Sequence, residues 1–125
     1  MVYQMNFNDL PVVRNLRIMQ GDSYREPYEL WLNAVPLSLA DATITVAVRR
    51  GPGKGKMVYE AEIEPDSAGD GQFTVVVPAS ATEGLLGEYC YEVEILWNAE
   101  GQTFPGGCTK TVLAGALVVS EDVLH

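Results

Sequence analysis

Carboxylates spaced at strand period are the first groups in this chain that could do chemistry. Glu60, Glu62 and Glu64 stand two apart, and so do Glu92 and Glu94, with Glu88 further back on the same parity. Two carboxylates act as a general acid–base pair only when their environments differ sharply, which requires burial of at least one. Here the intervening residues are apolar, so period two turns each acidic row toward water and the apolar row toward a core. A solvated face results, with no acid–base pair.

Nucleophilic and metal chemistry fare no better. The one histidine, His125, is the last residue, and a Ser-His-Asp or Cys-His site would have to be built on a frayed end. Cys90 and Cys108 form no Cys-x-x-Cys motif and no metal-ligand cluster. If strands 88–97 and 102–111 pair across Asn98-Ala99-Glu100-Gly101, the two cysteines come close to cross-strand neighbours. Pro105-Gly106-Gly107 blurs that register, and synthesis in reducing cytosol is expected, since Met1 is not followed by a leader pattern, which argues against a bridge.

Two loops imitate ligand sites. Gly51-Pro52-Gly53-Lys54-Gly55-Lys56 suggests a phosphate loop, but Arg50 stands where GxxxxGK[ST] needs its first glycine, and Met57 replaces the hydroxyl residue. A basic tip is left, suited at most to an acidic partner. Glu64, Asp66 and Asp70 could ligate calcium, yet the loop lacks the alternating ligands and distal glutamate of a helical calcium loop. Asp70-Gly71 instead supplies the positive-φ position of a turn. The chain is therefore expected to be non-enzymatic and to need no metal or cofactor.

The elements that would carry any site are strands. The stretch 88–97 alternates strictly, with Tyr89, Tyr91, Val93, Ile95 and Trp97 on one face and Glu88, Cys90, Glu92, Glu94 and Leu96 on the other. Six further segments read as strands. Leu16 and Ile18 point inward from 15–20, with Arg17 and Met19 outward. Tyr28, Leu30 and Leu32 point inward from 27–33, with Glu29 and Trp31 outward. Ile44, Val46 and Val48 point inward from 42–50, and Met57, Tyr59, Ala61 and Ile63 from 57–64. Phe73, Val75 and Val77 mark 72–77; 102–104 begins the return, and a last strand pair or one broken strand is expected from Cys108 to Val119, interrupted by a bulge at Gly115. Buried leucines are expected in the crossing loop at Leu37 and Leu39, and one helical turn before Gly84.

Seven short strands split by Gly, Pro and Asp turns predict an all-β fold, a two-sheet antiparallel immunoglobulin-like sandwich. Gly87-x-Tyr89 stands where a tyrosine corner would. Tyr91 occupies the place of the second antibody cysteine and the third strand has no tryptophan, so the antibody disulfide pin is missing. The sandwich is expected over 15–120, flanked by an N-terminal arm over 1–14 and a tail over 121–125. Pro11 and the lack of a clean period make that arm either a loosely docked terminus or a segment that lays Tyr3, Met5 and Phe7 on a neighbouring subunit.

At 125 residues the chain is about one domain, and no apolar run approaches the ~20 residues of a membrane helix. Its net charge of −9 is uneven. Residues 1–56 carry seven basic and five acidic groups, net +2; residues 57–125 carry one basic and twelve acidic groups, net −11. An acidic domain repels phosphate backbones, so neither nucleic acid nor membrane is an expected partner, whereas opposed charged ends suit assembly. Trp31, outward and beside a charge, either caps the core from its rim or anchors a partner.

In order and spacing, Gly21-Asp22, Val35-Pro36-Leu37-Ser38-Leu39-Ala40-Asp41-Ala42-Thr43-Ile44, Arg49, Asp70-Gly71-Gln72-Phe73, Gly87-Glu88-Tyr89 and Gly115-Ala116-Leu117-Val118-Val119 resemble the N-terminal immunoglobulin-like domain of phage baseplate upper proteins and related tail or neck modules. The resemblance covers about residues 15–120. It implies a virion component, assembled in the host cytoplasm, that docks on other phage structural proteins of the tail, baseplate or head–tail junction and forms a homo-oligomer. Baseplate upper proteins of this kind continue into coiled-coil and receptor-side regions, whereas the sequence stops at His125; a short accessory, or a piece of a longer chain, is expected. The expected interface residues are Tyr3, Met5, Phe7, Met19 and Trp31. The competing expectation is a carbohydrate-binding or adhesin-type sandwich using Trp31, Trp97 or tyrosines as stacking platforms.

Overall fold

A computed structural model describes residues 2–51 and 55–121. Alternating apolar residues build two sheets that face each other across one core. Sheet A has the order β1 (Tyr3–Asn6), β4 (Tyr24–Leu32), β9 (Gln72–Val77), β8 (Pro65–Ser67), with β5 (Val35–Pro36) paired to β4. Sheet B has the order β2 (Val12–Val13), β11 (Cys108–Ser120), β10 (Gly87–Trp97), β6 (Ala42–Arg50), β7 (Met57–Ile63), with β3 (Leu16–Met19) also on β11. All seven expected strands are present, joined by four short ones, and a single helical turn, α1 (Ala79–Thr82), precedes β10.

The sandwich is all-β, but its sheets are mixed where antiparallel pairing was expected. β1 runs parallel to β4, and β2 and β3 run parallel to β11. Parallel neighbours need a long crossover. Residues 7–23 supply it, leaving sheet A after β1, lining the edge of sheet B as β2 and β3, and returning as β4. The segment expected as an arm thus contributes a strand to each sheet. Pro27, which suggested the start of a strand, lies inside β4 because β1 pairs with β4 only from Tyr28 onward, leaving an edge that needs no donor there.

The core holds the residues that alternation placed inward: Tyr28, Leu30, Phe73, Val75 and Val77 from sheet A, Ile44, Val46, Val48, Tyr89, Tyr91, Val93, Ile95 and Trp97 from sheet B, and Leu37 and Leu39 from the crossing loop. Burying a ring such as Trp97, Tyr28 or Phe73 removes about 150–250 Å² from water, roughly 4–6 kcal/mol gross at ~25 cal/mol per Å². The Tyr89 hydroxyl accepts from the Leu86 N–H at 2.9 Å and donates to the Leu86 carbonyl at 3.1 Å, the geometry of a tyrosine corner.

Three local expectations shift. The bulge on the last strand pair lies between Val93 and Glu94, so adjacent Val112 and Leu113 are both buried, and β11 runs unbroken through Gly115. Gly115 has another cause: a Cβ there would collide with the Arg14 carbonyl as the crossover passes. A second bulge at Val48/Arg49 sets Met57 opposite outward-facing Arg49, which turns Met57 out instead of in. Finally, residues 98–107 form a loop with no strand, so β11 begins at Cys108, opposite Trp97, while Cys90 lies opposite Ala116. Seven residues along a strand separate the two positions by roughly 23 Å, beyond any disulfide's reach. Gly71 does take positive φ (69°), and its missing side chain makes room for the Leu30 and Leu37 carbonyls.

Candidate interaction surfaces

Strand parity sorts the polar side chains of a sandwich onto two outer faces and a rim between the sheets. On the outer face of sheet A, β1, β4 and β9 bring Gln4, Glu29 and Gln72 into one row, with Trp31 one step along. The Glu29 carboxylate accepts from the Trp31 indole N–H at 2.6 Å, the Gln72 amide at 2.9 Å and the Gln4 amide at 3.1 Å. The Gln72 bond, followed by that of Trp31, holds this carboxyl below the usual carboxylate range. Trp31 is half-buried and fixed in orientation, a preorganised aromatic on a polar sheet.

The outer face of sheet B is built differently. Register aligns Glu60, Ala47, Glu92, Ala114 and Val13 in one row, and Glu62, Thr45, Glu94 and Thr111 in the next. The small side chains leave a depression of about 490 Å³, lined by Ala47, Arg49, Cys90, Glu92 and Ala114. Glu60, Glu62, Glu92 and Glu94 make no hydrogen bond or ion pair among the described residues.

At the rim, Arg14 pairs with Glu26, donates to the Tyr28 hydroxyl at 3.1 Å and lies over the Tyr3 ring at 5.0 Å. The Tyr91 hydroxyl donates to the Arg14 carbonyl at 2.6 Å. Burial drives the Tyr28 and Tyr91 phenols upward, so both stay neutral and tie the crossover to each sheet, Tyr28 as acceptor and Tyr91 as donor. At one end of the sandwich Asp41 performs a similar task. It accepts from the Thr103 hydroxyl at 2.8 Å and backbone N–H at 3.3 Å, clamping the 98–107 loop, and the Thr103 hydroxyl bond is the chief cause that lowers its carboxyl.

The five expected interface residues do not converge. Trp31 is on the outer face of sheet A, and Met19 is half-buried beside β11 on the outer face of sheet B. Tyr3, 41 % exposed, sits at the rim against Tyr28. Phe7 stacks on Phe104 and meets Trp97 edge-on, and Met5 is 2 % exposed within its own core. Met5 and Phe7 therefore complete their own subunit, and Met5 offers a neighbour no surface. Trp97 is fully buried, its indole N–H donating to the Ser38 carbonyl at 2.9 Å, which removes it as a stacking platform. Gln4 and Gln72 were missed: each is an ordinary polar strand residue until register sets it beside Glu29.

The loops that imitated ligand sites are otherwise occupied or lie outside view. Asp66 accepts from the Thr74 hydroxyl and Asp70 from that of Ser67. Residues 52–54 of the basic tip, and His125 with most of the expected tail, lie outside the described residues. Among the described residues no three His, Cys, Asp or Glu side chains are grouped to hold a metal, and no helix is long and apolar enough to cross a membrane.

Fold and surfaces together define an all-β sandwich with two contrasting polar faces. Among solved structures, it is similar to the N-terminal domain of phage TP901-1 ORF48, with a TM-score of 0.58 and 10% sequence identity over 95% of this chain and 96% of that one. At that identity the likeness is one of fold. No protein-family model and no curated protein matches the sequence.

Proposed function

We propose that this chain is a non-enzymatic structural component of a bacteriophage virion, in the tail, baseplate or head–tail junction, where it docks on other phage structural proteins and forms a homo-oligomer. The observation that carries the reading is the end-to-end likeness to a phage protein domain, 95% of one chain on 96% of the other. The order of sequence motifs shared with phage baseplate upper proteins points the same way. The connectivity supports an immunoglobulin-like assignment: β4, β9 and β8 take the places of strands B, E and D, β6, β10 and β11 those of C, F and G, and Tyr89 that of the corner tyrosine. Parallel β1 is this chain's own departure.

Trp31 is the preferred docking anchor, because a fixed aromatic among satisfied polar groups loses little entropy on contact. Mass spectrometry of density-purified particles tests the proposal. The chain is expected in a fixed stoichiometry to the major tail proteins, and Trp31→Ala should reduce its incorporation while moving its melting temperature little. Absence from particles would overturn the reading. A glycan-binding module is the second reading, favoured by Gln4, Glu29 and Gln72 surrounding Trp31. A strict monomer that binds on a glycan array through Trp31 would establish it.

A further inference from the structure

β7 is the outermost strand of sheet B: β6 pairs with one side of it, and no strand pairs with the other among the described residues. An open edge presents backbone N–H and C=O groups ready for a further strand. The other sheet edges are short, four residues in β1 and β3, three in β8 and two in β2, whereas β7 has seven. Its side chains are also specialised. Glu60 and Glu62 are exposed on the outer face and make no hydrogen bond or ion pair among the described residues, while Tyr59, Ala61 and Ile63, on the inner face, remain only half-buried.

An added strand would set its residues about 4.5–5.5 Å from those of β7 on the same face. Two cations at i and i+2 would then face Glu60 and Glu62, and the alternate apolar residues would extend the core beyond Tyr59 and Ile63. A second copy of β7 is a poor occupant. Antiparallel self-pairing centred on Ala61 opposes Glu60 to Glu62, pairing centred on Glu60 opposes it to itself, and the net charge of −9 adds long-range repulsion. We propose that β7 accepts, by strand addition, an extended segment of another protein in which Lys or Arg alternates with apolar residues. The inference rests on the reading of the chain as a docking component and names the chemistry of one partner.

Titration of the isotope-labelled chain with acetyl-Lys-Val-Lys-Val-Lys-Val-Lys-amide, followed by amide NMR, tests it. The largest shift changes should fall in residues 57–63, alternate β7 amides should exchange more slowly, and the double variant E60Q/E62Q, a surface change that leaves the core intact, should weaken binding about fivefold or more. A backbone N-methylated peptide should not bind. Equal binding of a Glu-Val peptide, changes centred on Glu92 and Glu94 instead of β7, self-association through β7, or no binding would each overturn the proposal. Particles that incorporate E60Q/E62Q as well as the parent chain would defeat it while the virion reading stood; peptide binding at β7 by a chain absent from particles would do the reverse.

Discussion

On the outer face of sheet A the central carboxylate, Glu29, accepts hydrogen bonds from Gln4, Trp31 and Gln72, whereas on the outer face of sheet B Glu60, Glu62, Glu92 and Glu94 accept none among the described residues. The edges differ in the same sense. Sheet A ends in β1, a four-residue edge that buries Met5, while sheet B ends in β7, seven residues long with no strand on its outer side among the described residues. A carboxylate bonded only to water beside an open edge can pair with a partner without breaking an intramolecular bond, whereas Glu29 would have to give up bonds to its own chain. The contrast is the ground for the docking proposed at sheet B's edge, with Trp31 kept as the anchor proposed on the other face.

The largest test of this contrast is Met5→Ala. If β1 is docked on β4 with Met5 in the core, the truncation leaves a cavity and should cost about 2–5 kcal/mol in urea unfolding. A loss near zero would return residues 1–14 to the status of an arm. Next is Gly115→Ala, which drives a methyl into the Arg14 carbonyl and should cost about 1–3 kcal/mol by the same measurement. An unchanged midpoint would mean that the crossover is not held against β11.

Two hydrogen-bonded carboxylates, one on sheet A and one at the end of sheet B, should shape the acid limb of the stability profile. Glu29 and Asp41 have folded pKa values depressed below the usual range. Their contribution is therefore complete above the unfolded carboxylate pKa and is lost as pH falls through that range toward the depressed folded values. Glu29→Gln should flatten the acid limb of the stability profile, and an unaltered profile would contradict the role given to the Gln4–Trp31–Gln72 bonds. The smallest effect belongs to sheet B: Glu60→Gln with Glu62→Gln should change stability by no more than about 0.5 kcal/mol, because both side chains are exposed and neither has a bond to lose among the described residues. A larger loss would show that these groups serve the fold.

The sequence carried the core and most of the strands, since period two and β-branched density mark Ile44-x-Val46-x-Val48 or Tyr89 to Trp97 without reference to the rest of the chain. It carried Tyr89 as a corner and Leu37 and Leu39 as buried loop residues for the same local reason. What depended on register stayed hidden. Nothing in Met-Val-Tyr-Gln-Met-Asn-Phe announces a parallel strand, because its partner β4 begins eighteen residues beyond Asn6. The 98–107 loop looked like a hairpin because its tie, Asp41, lies some sixty residues away. The Glu29 network required three strands to be aligned before its members could be seen together.

Amide hydrogen exchange on the isolated chain tests the central claim most directly, read over residues 3–6 and over 57–63. Protection is expected at the alternate β1 amides bonded to β4, with alternating fast exchange along β7, where every second amide faces water. Fast exchange throughout 3–6 together with uniform protection of 57–63 would contradict it.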